Sequence, residues 1–451
     1  MFCQGLRASL MKMTVAPAPH LRRVGLIVTI ASLIAIAAAT LTPETSPAMA
    51  SHFCLVCGSV GTVDAVLNVI LFIPLGVGLA LSGVQGKKAL MWVFALSALI
   101  ETAQLFFIPG RDSTIGDVLT NTLGGGLGFA IVRFYPLWLR PASRVARNLC
   151  LGWASIWLTI QIVSIYGFTL SLSHSQYFGE IARELGDFAV FPGRVLSVRI
   201  DDKPIPNTAI DDSRVVERLL LRGATIATTV VPAESTRKIA PIVRVADAQQ
   251  REILLIAQDG DRFIFTIRTG AAVLRARRPF FAVAGVFPAV VPGYSSADDS
   301  LTLTARYAAG VVGIRAHNNS SDSGLVIPIN ASLGWILWLP FQWLIEGTGA
   351  EHMISWIWMA CLALPFGYWA FYFRESTSSK QARLEATFDL LFGVLLLIAG
   401  LIVTPRVFGL AIAPFIDWVA TLAGLFLGYF LGSVTRRLGL TTAPVSGAHQ
   451  R

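Results

Sequence analysis

Eight stretches of the chain stay apolar long enough to cross a bilayer as helices: residues 24–41, 64–81, 89–108, 117–134, 149–167, 352–373, 387–403 and 412–432. About 20 residues at a rise of about 1.5 Å each match a hydrocarbon core of ~30 Å. Between the fifth and sixth stretches the pattern changes. From residue 170 to 330 the apolar runs shorten to strand length and alternate with polar positions. ILLIAQDGDRFIFTIRTG reads as two strands joined by a turn near Asp259-Gly260. LLLRGATIATTVVP, APIVRVAD, SLTLTARYAA and GVVGIRAH alternate in the same way and are rich in β-branched residues. The segment 332–347, SLGWILWLPFQWLIEG, is apolar but short, Trp-rich and broken by Pro340, which suits the membrane interface.

The predicted fold class is a membrane all-α helical bundle of about eight transmembrane helices with an extracytoplasmic antiparallel β-sandwich domain. The expected divisions are a cytoplasmic tail (1–21), a four-helix membrane domain (22–148), a fifth helix (149–169), the β domain (170–330), an interfacial segment (331–351), three further helices (352–434) and a second tail (435–451). An Ala48-Met49-Ala50 cleavage-like site follows the first apolar run, but that run ends well before it, so retention as a helix is expected.

Composition agrees with this division. The chain is 54% hydrophobic and 14% charged, with a mean hydropathy of +0.64, against about a quarter charged for a soluble domain. Residues 170–330 hold 18 Lys and Arg against 16 Asp and Glu, a net +2; the remainder holds 18 against 11, a net +7. The basic excess therefore lies in short loops and tails, as topology signals do, and not on a nucleic-acid-binding face. With Arg22/Arg23, Lys87/Lys88 and the Arg133–Arg147 cluster inside, both termini are expected to be cytoplasmic and residues 170–330 to lie on the outer side of the membrane. Parity then requires that 332–347 not cross.

The candidate chemistry lies in helices two to four. Asp64-x3-Asn68, Glu101-x2-Gln104 and Asp117-x3-Asn121 each put two polar groups on one helix face, and parity brings all three pairs to the same side. The loop between helices three and four adds Arg111 and Asp112; Arg111 is the only cation there and the natural partner of the carboxylates. Asp64 and Asp117 also suit plain helix capping. Glu101 lies within its helix and needs a buried partner or a wet cavity.

Thr42-Pro43, Asp64-x3-Asn68-x3-Phe72-x-Pro74-x-Gly76, Glu101-x2-Gln104 and Arg111-x5-Asp117-x3-Asn121-x2-Gly124-x3-Gly128, in this order over residues 24–135, resemble the VanZ-like membrane family. The resemblance implies a bacterial envelope protein and an association with reduced susceptibility to the glycopeptide teicoplanin. A second segment departs from the pattern: Asp417 has Gly424 and Gly428 at the same offsets, but Thr421 replaces the Asn, and no Glu-x-x-Gln precedes it. The β domain is more distantly similar to laminin G-like and concanavalin A-like sandwiches, which implies glycan or protein binding.

Two functional classes stay open on these residues. One is a binding or accessory protein with an outer-leaflet polar pocket of Asp64, Asn68, Glu101, Gln104, Arg111, Asp117 and Asn121, touching membrane lipid and engaging envelope glycan or a lipid-linked head group. The other is an enzyme acting on such a head group, with Glu101 or Asp117 as acid/base and Arg111 binding phosphate. A transporter fits less well, because the polar groups leave no path across the membrane. Cys54 and Cys57, spaced C-x-x-C on the oxidising side, are a disulfide candidate. With His52 the only further ligand nearby, no metal site is expected, and no cofactor motif is present.

Overall fold

The computed structural model describes residues 18–43, 55–56, 58–111, 113–186, 188–233, 235–287, 300–318, 322–375 and 380–438. Cys54, Cys57, His52 and Asp112 lie outside the described residues. Among the described residues, eight helices are long and apolar enough to cross a membrane, and 332–347 is not one of them. The chain divides into two compact units, residues 1–139 and 140–451.

The first unit holds α1 (Pro19–Thr40), α2 (Gly61–Leu81), α3 (Gly86–Phe107) and α4 (Ile115–Arg133). Ile36, Phe72, Leu75, Val93 and Ile100 form its buried apolar centre. α2 and α4 touch backbone to backbone. A Cβ on Gly124 would overlap the carbonyl of Val69, one on Gly128 the carbonyl of Ile73, and one on Gly76 the carbonyl of Gly125. Small residues permit this approach, which gains dispersion contact where lipid supplies no hydrophobic drive.

The second unit contains α5 (Ser143–Phe168), a short α6 (Ser213–Leu221), α7 (Gly349–Glu375), α8 (Lys380–Ile398) and α9 (Phe415–Arg437). α8 runs on through a π-turn at Ala399–Val403 to Val407. Met359, Leu362, Phe366, Leu397 and Leu401 pack on Cys150, Ala154 and Trp157 of α5. α7 and α9 repeat the contact of α2 and α4. A Cβ on Gly424 would overlap the carbonyl of Ala360, one on Gly428 that of Leu364, and one on Gly367 that of Leu425. Pro365 precedes Gly367 by two residues, as Pro74 precedes Gly76. The offsets noticed in sequence from Asp417 are thus one half of a repeated helix–helix register.

Between α5 and α7 lies a β sandwich. Its strands are β1 (Tyr177–Ile181), β2 (Arg194–Ile200), β3 (Lys203–Pro204), β4 (Ala209–Ile210), β5 (Thr225–Val231), β6 (Thr236–Asp247), β7 (Glu252–Gly260), β8 (Arg262–Ile267), β9 (Phe280–Val283), β10 (Leu301–Ala308), β11 (Val311–His317), β12 (Asp322–Pro328) and β13 (Leu344–Ile345). One sheet runs β13-β9-β8-β7-β6-β1-β4 and the other β12-β11-β10-β5-β2-β3. All pairings are antiparallel except β13 on β9. Phe281 of β9 meets Tyr307 of β10 edge-on across the core. The hairpin expected at Asp259-Gly260 is β7–β8, with Asp259 opposite Arg262 and Gly260 at φ +61°. β10–β11 turns at Ala309-Gly310, both at positive φ, as a tight hairpin requires.

Two boundaries differ from the sequence reading. LLLRGATIATTVVP is not a single strand: Leu219–Leu221 end α6, Gly223 at φ +82° stops it, and β5 follows. The reading ends the β domain at residue 330, yet Leu344–Ile345 adds an edge strand to its larger sheet. Ala331–Trp338 is a 3-10 helix, mostly buried, that packs on α5 and α7.

Candidate functional site

The seven candidate residues of the first unit gather where α1 ends and α2 and α4 begin. Thr114, not Asp117, is the N-cap of α4: its hydroxyl accepts from the Asp117 N–H at 3.0 Å and donates to Asp117 Oδ2 at 2.9 Å. Asp117 therefore holds the third helical position of a capping box. In such a box the acid usually takes the N–H of the cap residue. Here Glu101, from α3, takes it instead: the Thr114 N–H donates to Glu101 Oε2 at 2.8 Å. This is the buried partner that Glu101 requires, and it leaves only 7% of that residue exposed.

The other polar groups join further helix ends and faces. Asn68 Nδ2 donates to Asp117 Oδ1 at 2.6 Å, tying α2 to α4. Gln104 Nε2 donates to the Thr40 carbonyl at 2.8 Å. Arg111 Nε and Nη2 donate to the carbonyls of Thr42 and Ala39, at 3.1 and 2.9 Å. Both thus satisfy carbonyls left open at the C-terminal end of α1, a position that favours a cation. Asn121 Nδ2 donates to Ser97 Oγ at 2.9 Å, joining α4 to α3, while its buried Oδ1 has no hydrogen-bond partner among the described residues. Asp64 is exposed in the first turn of α2, where the helix dipole favours an acid; it is not the cap, which is Val60.

Thr114 is the residue that the sequence reading missed, although it links both acids. Its signal was present: Thr-x-x-Asp directly before an apolar run is a capping box. Ser97, Thr40 and Thr42 were also missed as partners. Two of these supply backbone carbonyls, which no side-chain pattern reveals.

α9 carries Asp417 at the place of Asp117. It is 1% exposed and faces Ser332 and His352, and among the described residues its Oδ2 has no hydrogen-bond partner. Because Ala360 stands where Val69 does, Met359 replaces Asn68, and its sulfur takes Gln161 Nε2 at 3.9 Å. The packing register is repeated and the polar centre is not.

Eight candidate spans and a sandwich between the fifth and sixth define the class: a multi-pass helical membrane protein with an inserted β domain. Residues 9–138 match the VanZ/LLP1 family, so the chain carries a VanZ-like domain, of a family associated with teicoplanin resistance. No curated protein and no solved structure matches the chain.

Proposed function

We propose that the chain is a binding or accessory protein of the bacterial cell envelope, with both termini cytoplasmic, the β domain periplasmic and the polar centre at the outer ends of α2, α3 and α4. The observation that carries this reading is where the acid oxygens go. Glu101 and Asp117 accept from Thr114 and Asn68, which are fixed donors of the protein. A general acid or base needs its reactive oxygen turned to a substrate proton within hydrogen-bond reach. Asn121 Oδ1 is the buried acceptor left over. It suits a hydroxyl or amine donor of a bound head group better than it suits chemistry. The β domain, whose sequence distantly resembles laminin G-like and concanavalin A-like sandwiches, takes glycan or a partner in this reading.

The test is complementation of a deletion strain, read as teicoplanin susceptibility or another envelope defect. Glu101→Gln keeps an acceptor for the Thr114 N–H and should complement fully. Loss of complementation at normal expression would instead favour an enzyme using Glu101 or Asp117 with Arg111 on a lipid-linked head group. Reporters fused after residues 330 and 379 should read periplasm and cytoplasm respectively; the same side for both would overturn the orientation.

A further inference from the structure

The β domain carries a cluster of arginines close to the end of α5 and outside the polar centre. Arg268 follows β8, and its N–H donates to the Ile253 carbonyl at 2.7 Å, which places it across from β7. Counting alternate positions, Arg251, Ile253 and Arg268 share one face of the sheet. Arg251 and Arg278 lie close enough for their charges to act on Arg268.

The pairing around this cluster is uneven. Arg251 Nε donates to Asp247 Oδ2 at 2.7 Å, and Arg278 Nη1 donates to Glu252 Oε1 at 2.8 Å. Glu252 is shared with Arg244, which also holds Glu180. Asp247 is already an acceptor for Ser173 and for the N–H groups of Gln249 and Arg251. Burial alone would raise Asp247, but these bonds hold it below the usual carboxylate range. Arg268 is only partly exposed, and among the described residues its side chain makes no hydrogen bond or ion pair. Burial and the like charges of Arg251 and Arg278 push its guanidinium below the ordinary value, with Asp247 opposing.

The position of the cluster is as informative as its charge. The Arg268 carbonyl accepts from Ser171, and the Gly270 N–H donates to Thr169 at 2.7 Å, directly after α5 ends. Gln342 Nε2 donates to the Arg278 carbonyl at 3.0 Å, and Gln342 lies between Phe341 and Trp343. Phe341 is exposed, and Trp343 beside it is of the residue type enriched at membrane interfaces. The arginines therefore sit beside the end of α5, a candidate membrane span, and next to an exposed aromatic segment.

We propose that Arg268, with Arg251 and Arg278 beside it, binds the phosphate of an anionic lipid head group at the membrane surface. The guanidinium fork matches phosphate oxygens in bidentate fashion, and a bound anion relieves the convergence of like charges. The assignment does not rest on the polar centre or on which side of the membrane the β domain occupies.

The experiment uses the full chain in detergent, titrated in parallel with phosphatidylglycerol, phosphatidylcholine and inorganic phosphate, with affinity and melting midpoint as readouts. Phosphatidylglycerol should bind and raise the midpoint of the wild type. Arg268→Gln should weaken it by roughly tenfold, and Arg268→Lys should fall between, since charge survives without the fork. Without lipid, Arg268→Gln should melt no lower than the wild type, because it removes repulsion; a purely structural arginine would destabilise when lost. Undiminished phosphatidylglycerol binding by Arg268→Gln would overturn the site. An equal response to phosphatidylcholine or to inorganic phosphate would overturn the anionic-lipid assignment. So would an equal loss in Arg199→Gln, an exposed arginine on β2.

Discussion

The α2–α4 and α7–α9 pairs are built on the same contact and finished differently. Gly76, Gly124 and Gly128 in the first correspond to Gly367, Gly424 and Gly428 in the second, each against a backbone carbonyl, and Pro74 corresponds to Pro365. At the N-terminal end of α4, Asp117 is held by Asn68 and Thr114. At the same place on α9, Asp417 is buried with an oxygen unpartnered, and Met359 stands where Asn68 would. Close packing and polar chemistry are thus separable layers of one helix pair. Register is set by what is missing from the contact, a Cβ; the polar centre is set by what is added at the helix ends.

The largest expected effect tests the shared layer. Gly128→Val and Gly428→Val each place side-chain atoms inside a facing backbone, which cannot yield as a side-chain tip can. Each should cost on the order of 3 kcal/mol and lower the folded yield on size-exclusion chromatography, to the same extent in the two variants. Tolerance of one and not the other would break the equivalence of the two pairs.

The next effect separates the layers. Asp117→Asn turns an amide donor towards either Asn68 or Thr114 and should cost about 1–3 kcal/mol. Asp417→Asn changes an oxygen that has no partner, so it should leave the melting midpoint unchanged or raise it. Equal losses in both would show that Asp417 is held as Asp117 is. The smallest effect concerns the cap. Thr114→Ala should cost about 1 kcal/mol. Thr421→Ala, which removes only a bond to the Asp417 carbonyl in its own helix, should cost less, measured by the same thermal melts.

The legible parts of this molecule were those with a period. The helices, the β7–β8 hairpin and the strands β10 and β11 follow from apolar runs and alternation, and the expectation that 332–347 does not span follows from the parity of loop charge. The polar centre was legible as a set of faces but not as a network. Asn68 with Asp117 joins residues far apart in the chain, and Arg111 and Gln104 end on backbone carbonyls of α1. Leu219–Leu221 misled because three consecutive leucines serve strand and helix alike, until Gly223 is recognised as a stop. The second half of the repeat was hidden because Pro365 and Gly367 keep the register while Met359 stands where Asn68 would and no Glu-x-x-Gln precedes Asp417.

The β domain is attached to its membrane helices by more than a covalent leash. Tyr307 donates to the carbonyl of Phe168, Gly270 to that of Thr169, and Ala411, in the loop after α8, to that of Ile329. Two strands of chain leave the sandwich, yet it is fastened at a third point between α8 and α9. Load applied to the sheets by a bound polymer would reach α5 and the segment that leads into α9 through these bonds as well as through the backbone.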